Sequence, residues 1–254
     1  MISDLLDMPT DRAAELREWS QALTAGLEPT ADLAEAEAAE AASDLMGEYV
    51  GQIIEERRRN PGDDLLSALI AVEAAGDRLS STELLSFVIL LYVAGHETTV
   101  NLIGNGTLAL LRHRSEFERW RADATIGPRA VDELLRYDGP VQLTVRVPTE
   151  PVRFAEVDVA AGTTVMCLLG AANHDPDVFD DPRALRLDRP NAARHLAFAS
   201  GIHYCLGASL ARLEAEVAIG TLVRRYEHLD LAAEPGWRDR LTIRGVDRLE
   251  LSIA

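Results

Sequence analysis

No proline interrupts the chain from Ser81 to His113, and a helix of that length would run ~50 Å, through the middle of a domain. Residues 84–94 are apolar on nearly every face, which in a soluble protein means burial on all sides, so the sequence predicts a central spine. The longest uninterrupted apolar run, Phe87 to Gly95, has nine residues. Spanning a bilayer takes ~20. The N-terminus lacks the cationic start and apolar stretch of a signal peptide, and the expectation is a cytoplasmic chain with no membrane contact.

Other helices are predicted before and after the spine. Residues 10–75 read as early helices: Thr10 to Leu27, then the Ala- and Glu-rich Thr30 to Arg59, ended by Asn60-Pro61-Gly62, then Asp63 to Ala75. Gly76-Asp77 is expected to turn the chain before Ser80 and Glu83, which are spaced as a capping box. A helix over 130–137 is closed by Gly139-Pro140. Within 141–169, Val141 to Val147 and Val152 to Val159 alternate in the strand period, and Thr163 to Leu169 forms an apolar strand. A proline-punctuated irregular stretch covers 173–205, a last long helix 206–226, and a C-terminal β segment 227–254. The fold class is mainly α with a small β region.

Charge and residue usage remove several kinds of chemistry. The chain holds 25 basic and 42 acidic residues, a net charge of −17, which argues against nucleic acid as a partner because counterion release needs clustered positive charge. Every basic residue is arginine, so lysine Schiff bases and P-loop lysines are excluded. Twelve acids in residues 1–50, against Arg12 and Arg17, read as a solvated helix face. Cys167 and Cys205 form no C-x-x-C, which suggests neither a disulfide framework nor a cysteine-rich zinc site. Cys167 reads as a strand core residue and His174 as a turn residue.

Three stretches stand out. In Phe198-Ala199-Ser200-Gly201-Ile202-His203-Tyr204-Cys205-Leu206-Gly207 the layout is loop, cysteine, helix. Gly201 and Gly207 leave room for a bulky flat group, and Leu206, Leu210, Leu213 and Val217 form a stripe expected to face the core. A cysteine at a helix N-terminus sees backbone N–H donors and the positive dipole end, which favour thiolate. The second stretch, Ala94-Gly95-His96-Glu97-Thr98-Thr99, puts an acid and an alcohol into an apolar helix. Either neighbours satisfy them, or small Ala94 and Gly95 let the helix approach a flat cofactor. A zinc reading of His96-Glu97 fails because position 100 is Val100 rather than histidine. The third, Glu133-Leu134-Leu135-Arg136, is an acid–base pair on one helix face, commonplace by itself.

F-x-x-G-x-H-x-C-x-G resembles the haem-binding loop of the cytochrome P450 family, and the order and separation of the other motifs match that family from about Met1 to Ala254. The resemblance implies heme b with Cys205 as axial thiolate to iron, Phe198 near the sulfur, His203 and Arg146 on haem propionates, and Gly201 and Gly207 beside the ring. Ala199 stands where the family usually has glycine, an added methyl that is expected to be tolerated. Ala94, Gly95, Glu97 and Thr98 match the helix above the haem, with Thr98 and Glu97 catalytic in proton delivery to dioxygen. Glu133, Arg136 and Arg189 match a structural triad that clamps the loop ahead of the cysteine. Leu91, Val93, Ala94, Val141, Leu143 and Ile243 are implied to line an apolar substrate pocket.

The implied activity is that of a haem-thiolate monooxygenase, placing one oxygen atom from dioxygen into a small apolar organic substrate. A ferredoxin-type donor would supply electrons at the cysteine side. There Arg183, Arg186, Arg189, Arg194, Arg212, Arg224 and Arg225 outnumber Asp188, Glu214 and Glu216, a balance of 7 − 3 = +4 that could steer an acidic partner. Ile2-Ser3-Asp4-Leu5-Leu6 followed by Pro9 resembles a segment well inside family members. The expectation is a cytochrome P450 fold lacking its N-terminal part, and the alternative to an enzyme is a non-catalytic remnant, or half of a split enzyme, that binds haem poorly or not at all.

Overall fold

The computed structural model describes residues 2–74 and 79–253, in two compact units, Met1–Glu97 and Thr98–Ala254. The expected turn at Gly76-Asp77 lies outside the described residues.

The first unit is helical: α1 (Ile2–Leu5), α2 (Ala13–Ala25), α3 (Leu33–Arg59), α4 (Leu65–Ala74) and the start of α5 (Ser81–Arg112). Helix α3 starts at a capping box, in which the Asp32 carboxylate accepts from the Glu35 amide while Glu35 accepts from the Asp32 amide. At the head of α5, the Ser80 amide donates to Glu83 at 2.8 Å and the Glu83 amide to Ser80 Oγ at 3.3 Å, the reciprocal bonding that the spacing predicts. Helix α2 packs along α3 and α3 against α4. Leu6, Leu16, Met46, Val50, Leu66, Leu84 and Val88 form the buried core.

Helix α5 is as long as predicted, but it is not buried on all sides. In the first unit Leu84, Val88 and Tyr92, at i, i+4 and i+8, carry the burial, while Leu90 is exposed. Apolar composition sets no stripe here; the stripe is set by which face meets the core. Among the described helices α5 alone is long and apolar enough to cross a membrane by length and mean hydropathy. In the second unit, however, it buries Asn101, Asn105 and Thr107, and Asn105 Nδ2 donates to the carbonyls of Asp138 at 3.3 Å and Arg244 at 3.1 Å.

The second unit continues with α6 (Arg114–Ala122), a 3-10 turn at Ala124–Ile126, α7 (Gly127–Asp138), α8 (Leu169–Ala172) and α9 (Ala208–Arg225). Pro128 in the first turn of α7 stands where its missing N–H costs nothing. Helix α9 packs on both α6 and α7. A Cβ at Gly106 on α5 would lie 2.8 Å from Ile219 Cδ1 and 3.1 Å from Leu134 Cδ1, so this glycine sets the close approach of α5 to α9 and α7. Trp120, Phe117, Val131, Leu134, Leu187, Ile219 and Val223 fill this core.

The β content is three two-stranded antiparallel ladders. Strand β1 (Thr144–Arg146) pairs with β4 (Val165–Cys167), β2 (Val152–Phe154) with β3 (Val157–Val159), and β5 (Leu229–Leu231) with β6 (Leu251–Ile253). The strand expected over Val152 to Val159 is therefore a hairpin, turned at Ala155 with φ +49°. The one expected over Val141 to Val147 is ordered as a strand only from Thr144, Val141 forming an isolated bridge to Ile243. Cys167 is half-buried on β4.

Candidate active site

Two consecutive acids on α7 organise the segments on either side of Cys205. Glu133, fully buried, accepts from Arg136 Nε at 2.7 Å and Nη2 at 2.8 Å, and from Arg189 Nε at 3.0 and 3.1 Å. It also accepts the Arg186 amide at 2.9 Å. The rest of both guanidinium forks is spent on main-chain carbonyls of the irregular stretch. Arg136 donates to Asn173, Pro182 and Ala184 at 2.8–3.0 Å, and Arg189 to Asp180, Asp181 and Ala184 at 2.5–3.2 Å. A stretch with no regular structure thus finds its carbonyl partners in two arginine side chains, which a buried backbone requires. The three residues that the sequence groups as a triad do meet in space.

The adjacent Asp132 reaches the cysteine loop itself. Its Oδ1 accepts from Arg212 Nε at 2.8 Å and His195 Nε2 at 3.3 Å. Sequence reading missed Asp132 and His195, and counted Arg212 in the basic patch without identifying its partner. No local spacing links positions 132, 195 and 212; the packing of α9 and of the 3-10 turn at Ala192–Arg194 on α7 brings them together.

The loop from Phe198 to Gly207 is tightly turned. Phe198 is buried, and its carbonyl accepts the Cys205 amide at 3.0 Å. The Ala199 amide donates to Leu196 at 2.8 Å, with φ +56° at Ala199 and +64° at Gly201. Ala199 therefore lies in the left-handed region, where a Cβ costs roughly 1–2 kcal/mol. The added methyl is accommodated, as expected, but at a cost that lies in the backbone and not in the space around the side chain. Ala199→Gly is expected to raise stability by about 1 kcal/mol, readable as a shift in the urea midpoint at unchanged slope; an unchanged or lower midpoint would contradict the assignment.

Cys205 is exposed, three residues ahead of the first residue of α9. Around it Ile202 and Leu206 are 98% and 78% exposed, and Leu213 and Val217 on α9 are also exposed. The stripe expected to face the core is thus the outer one. Burial falls on Ala208, Ala215, Ile219 and Val223, the same 3.6-residue repeat displaced by two positions, because the small residues are the ones that let α9 approach α7. Cβ atoms at Gly201 and Gly207 would meet nothing within 4 Å. His203 is exposed, and half-buried Arg146 donates to Thr144 Oγ1 and the Val145 carbonyl at 2.7 Å each, with no ion pair among the described residues.

The remaining candidates are split between the units. In the first, Glu97 is buried, Ala94 exposed, and Leu91 and Val93 pack against the unit's core. A Cβ at Gly95 would meet Ile2 Cγ1 at 3.2 Å. Burial lowers the His96 imidazole pKa from its ordinary value. In the second unit, Thr98 is half-buried, Leu143 buried, and Val141 bridges Ile243. Thr99, which sequence reading passed over, hydrogen-bonds Glu214 of α9; burial raises that carboxyl, and the threonine opposes the rise without cancelling it.

These residues fit a haem. The group is a flat apolar ring with two carboxylates and a metal that takes a thiolate. Within the second unit the structure offers an exposed thiol, uncovered apolar side chains beside it, two glycines with open space where a Cβ would project, and a guanidinium without an acid.

The chain is mainly helical with small antiparallel ladders, and a buried glutamate–arginine cluster holds the irregular stretch ahead of a cysteine loop that Asp132 ties to α7, an arrangement that suits a haem-thiolate fold. Comparison with known proteins gives the family. The model of the cytochrome P450 family matches residues 27–236. Cytochrome P450 107B1 of Saccharopolyspora erythraea is 43% identical over 98% of this chain, and the cytochrome P450 monooxygenase PikC of Streptomyces venezuelae 42% identical over 99%. The chain spans 60% of the length of each. Among solved structures, P450BioI in complex with hexadec-9Z-enoic acid ligated acyl carrier protein superposes with a TM-score of 0.94 at 36% identity, over 100% of this chain and 65% of that one. The chain belongs to the cytochrome P450 family.

Proposed function

We propose that the chain carries the thiolate end of a haem-dependent monooxygenase that inserts one oxygen atom into a small apolar organic substrate in the cytoplasm. The observation that carries this reading is Cys205, exposed ahead of α9 in a loop held by α7. Cys205 would hold heme b through its sulfur, Phe198 would pack near that sulfur, His203 and Arg146 would take the propionates, and Gly201 and Gly207 would admit the ring. Bound there, heme b supplies the activation of dioxygen by electrons from a donor protein.

The chain's own residues do the rest. Thr98 and Glu97, consecutive on α5, would order water and move protons, with Ala94 and Gly95 presenting little bulk beside them. Leu91 and Val93 in the first unit, and Val141, Leu143 and Ile243 in the second, would each supply apolar surface for the substrate. Such apolar surface suits the lipid-like ligand class of the fatty-acyl complex named above. The test is turnover under isotopically labelled dioxygen with an apolar substrate and a ferredoxin–reductase pair. One labelled oxygen in the product is expected, and product without label would refute the reading.

Electrons would come from a ferredoxin-type donor. Of the seven arginines near the cysteine, Arg189 is buried on Glu133, Arg186 lies 3.7 Å from Asp188, and Arg212 is held by Asp132. Arg183, Arg194, Arg224 and Arg225 remain exposed, with no ion pair among the described residues. Arg194→Glu with Arg224→Glu is expected to slow reduction by ferredoxin about tenfold at low salt and flatten its salt dependence. An unchanged salt slope would remove these arginines from the donor surface.

A second reading has its own observation. The uncovered stripe of Leu206, Leu213 and Val217 favours a chain that works with another polypeptide, as one half of a split enzyme would, or a non-catalytic remnant. Such a chain would bind haem poorly unless another polypeptide covered α9.

A further inference from the structure

Phe198 is held from several sides, and every hold leads to Asp132. The Arg212 guanidinium lies 4.6 Å from the Phe198 ring centroid, close enough for a cation–π contact. The His195 ring lies 5.6 Å away and that of Tyr204 6.4 Å, edge-on. Arg212 also donates to the Tyr204 hydroxyl at 3.3 Å. His195 is buried with both nitrogens engaged: the Ala197 amide donates to Nδ1 at 3.1 Å, which leaves the ring proton on Nε2, pointed at Asp132. One carboxylate oxygen therefore closes the segment from position 195 to position 212, with Cys205 inside it. Burial alone would raise the Asp132 carboxyl, but the hydrogen bonds from His195 and Arg212 bring it below its ordinary value. The carboxylate is thus charged at neutral pH and loses its hold only as pH falls through that lowered value.

We propose that Asp132 is a positioning residue for the thiolate: by fixing Arg212 and His195 around Phe198, it sets where the Phe198 carbonyl meets the Cys205 amide and hence where the sulfur points. Glu133 does a different job one residue on. It anchors the irregular stretch, whereas Asp132 anchors the loop that carries the ligand. The consequence for a bound haem rests on the haem-thiolate reading above, but the positioning itself can be read without haem.

The experiment is hydrogen exchange, followed by mass spectrometry, on the full chain without haem, with iodoacetamide alkylation of Cys205 in parallel. Asp132→Ala is expected to speed exchange across residues 196–207 by roughly tenfold or more, with faster alkylation, and to leave α6 and the β2–β3 hairpin as in the wild type. Asp132→Asn keeps an acceptor oxygen and should fall between. If Asp132→Ala does not fold, Arg212→Gln, which removes the cation from Phe198 and spares Glu133, is expected to show the same local pattern more weakly. Wild-type exchange in 196–207, or an increase spread equally over α6, α7 and α9, would overturn the proposal. In the haem-loaded chain, Asp132→Ala should also reduce the fraction of reduced, carbon monoxide-bound haem with a thiolate spectrum. A wild type with no such spectrum would defeat the haem reading, while the exchange result would still decide the role of Asp132.

Discussion

Glu133→Ala is expected to cost about 3–5 kcal/mol, the range for removing one partner of a buried ion pair, and to lower the thermal midpoint by about 10 °C or more. The size follows from what is stranded. Arg136 and Arg189 are 1% and 2% exposed, and both lose their only carboxylate among the described residues, while the Arg186 amide loses its acceptor. The guanidiniums would keep their carbonyl partners, but those are neutral and cannot balance two buried cations. Glu133→Gln should recover little, because it restores the shape and one acceptor oxygen without the charge. Chemical denaturation of both variants checks this, and a loss below about 1 kcal/mol would mean that the cluster is not what holds the irregular stretch.

Cys205→Ala should abolish any thiolate-type haem spectrum while leaving the fold intact. The cysteine is exposed, so its side chain contributes little to packing, and surface substitutions of that kind usually stay within about 0.5 kcal/mol. The two readouts therefore separate: the far-ultraviolet spectrum and melting curve should match the wild type, and the red-shifted Soret band should vanish. A red-shifted band that persists in Cys205→Ala would assign the ligand elsewhere.

Where one period repeats over many residues, the sequence was readable. Helix α5 begins at the predicted residue and ends one residue early, and the capping box at Ser80 and Glu83 forms as spaced. The glutamate–arginine cluster was legible through its family motif, although nothing local to Glu133 says that Arg189 reaches it. Phase was harder than period. On α9 the leucines and the small residues both repeat at helical spacing, and hydrophobicity favours the leucines, but close packing against α7 is made by Ala208, Ala215 and Ile219.

Short elements were harder still. Helix α6 offers only Phe117 and Trp120 as buried apolar residues, a pair three apart in a charged segment, too little to show a stripe although enough to anchor nine residues. The strands are three residues each, so alternation across Val152 to Val159 looked like one strand when it was two around a turn. Asp132 could not have been found locally at all, since its partners lie 63 and 80 positions away.

On the reading proposed above, Cys205 of this chain holds haem as a thiolate. The most direct test is the absorption spectrum of the purified chain expressed with added haem precursor, taken ferric and then reduced under carbon monoxide. A strongly red-shifted Soret band is the expected result. No haem, or a band typical of histidine ligation, would contradict thiolate ligation by Cys205 in this chain.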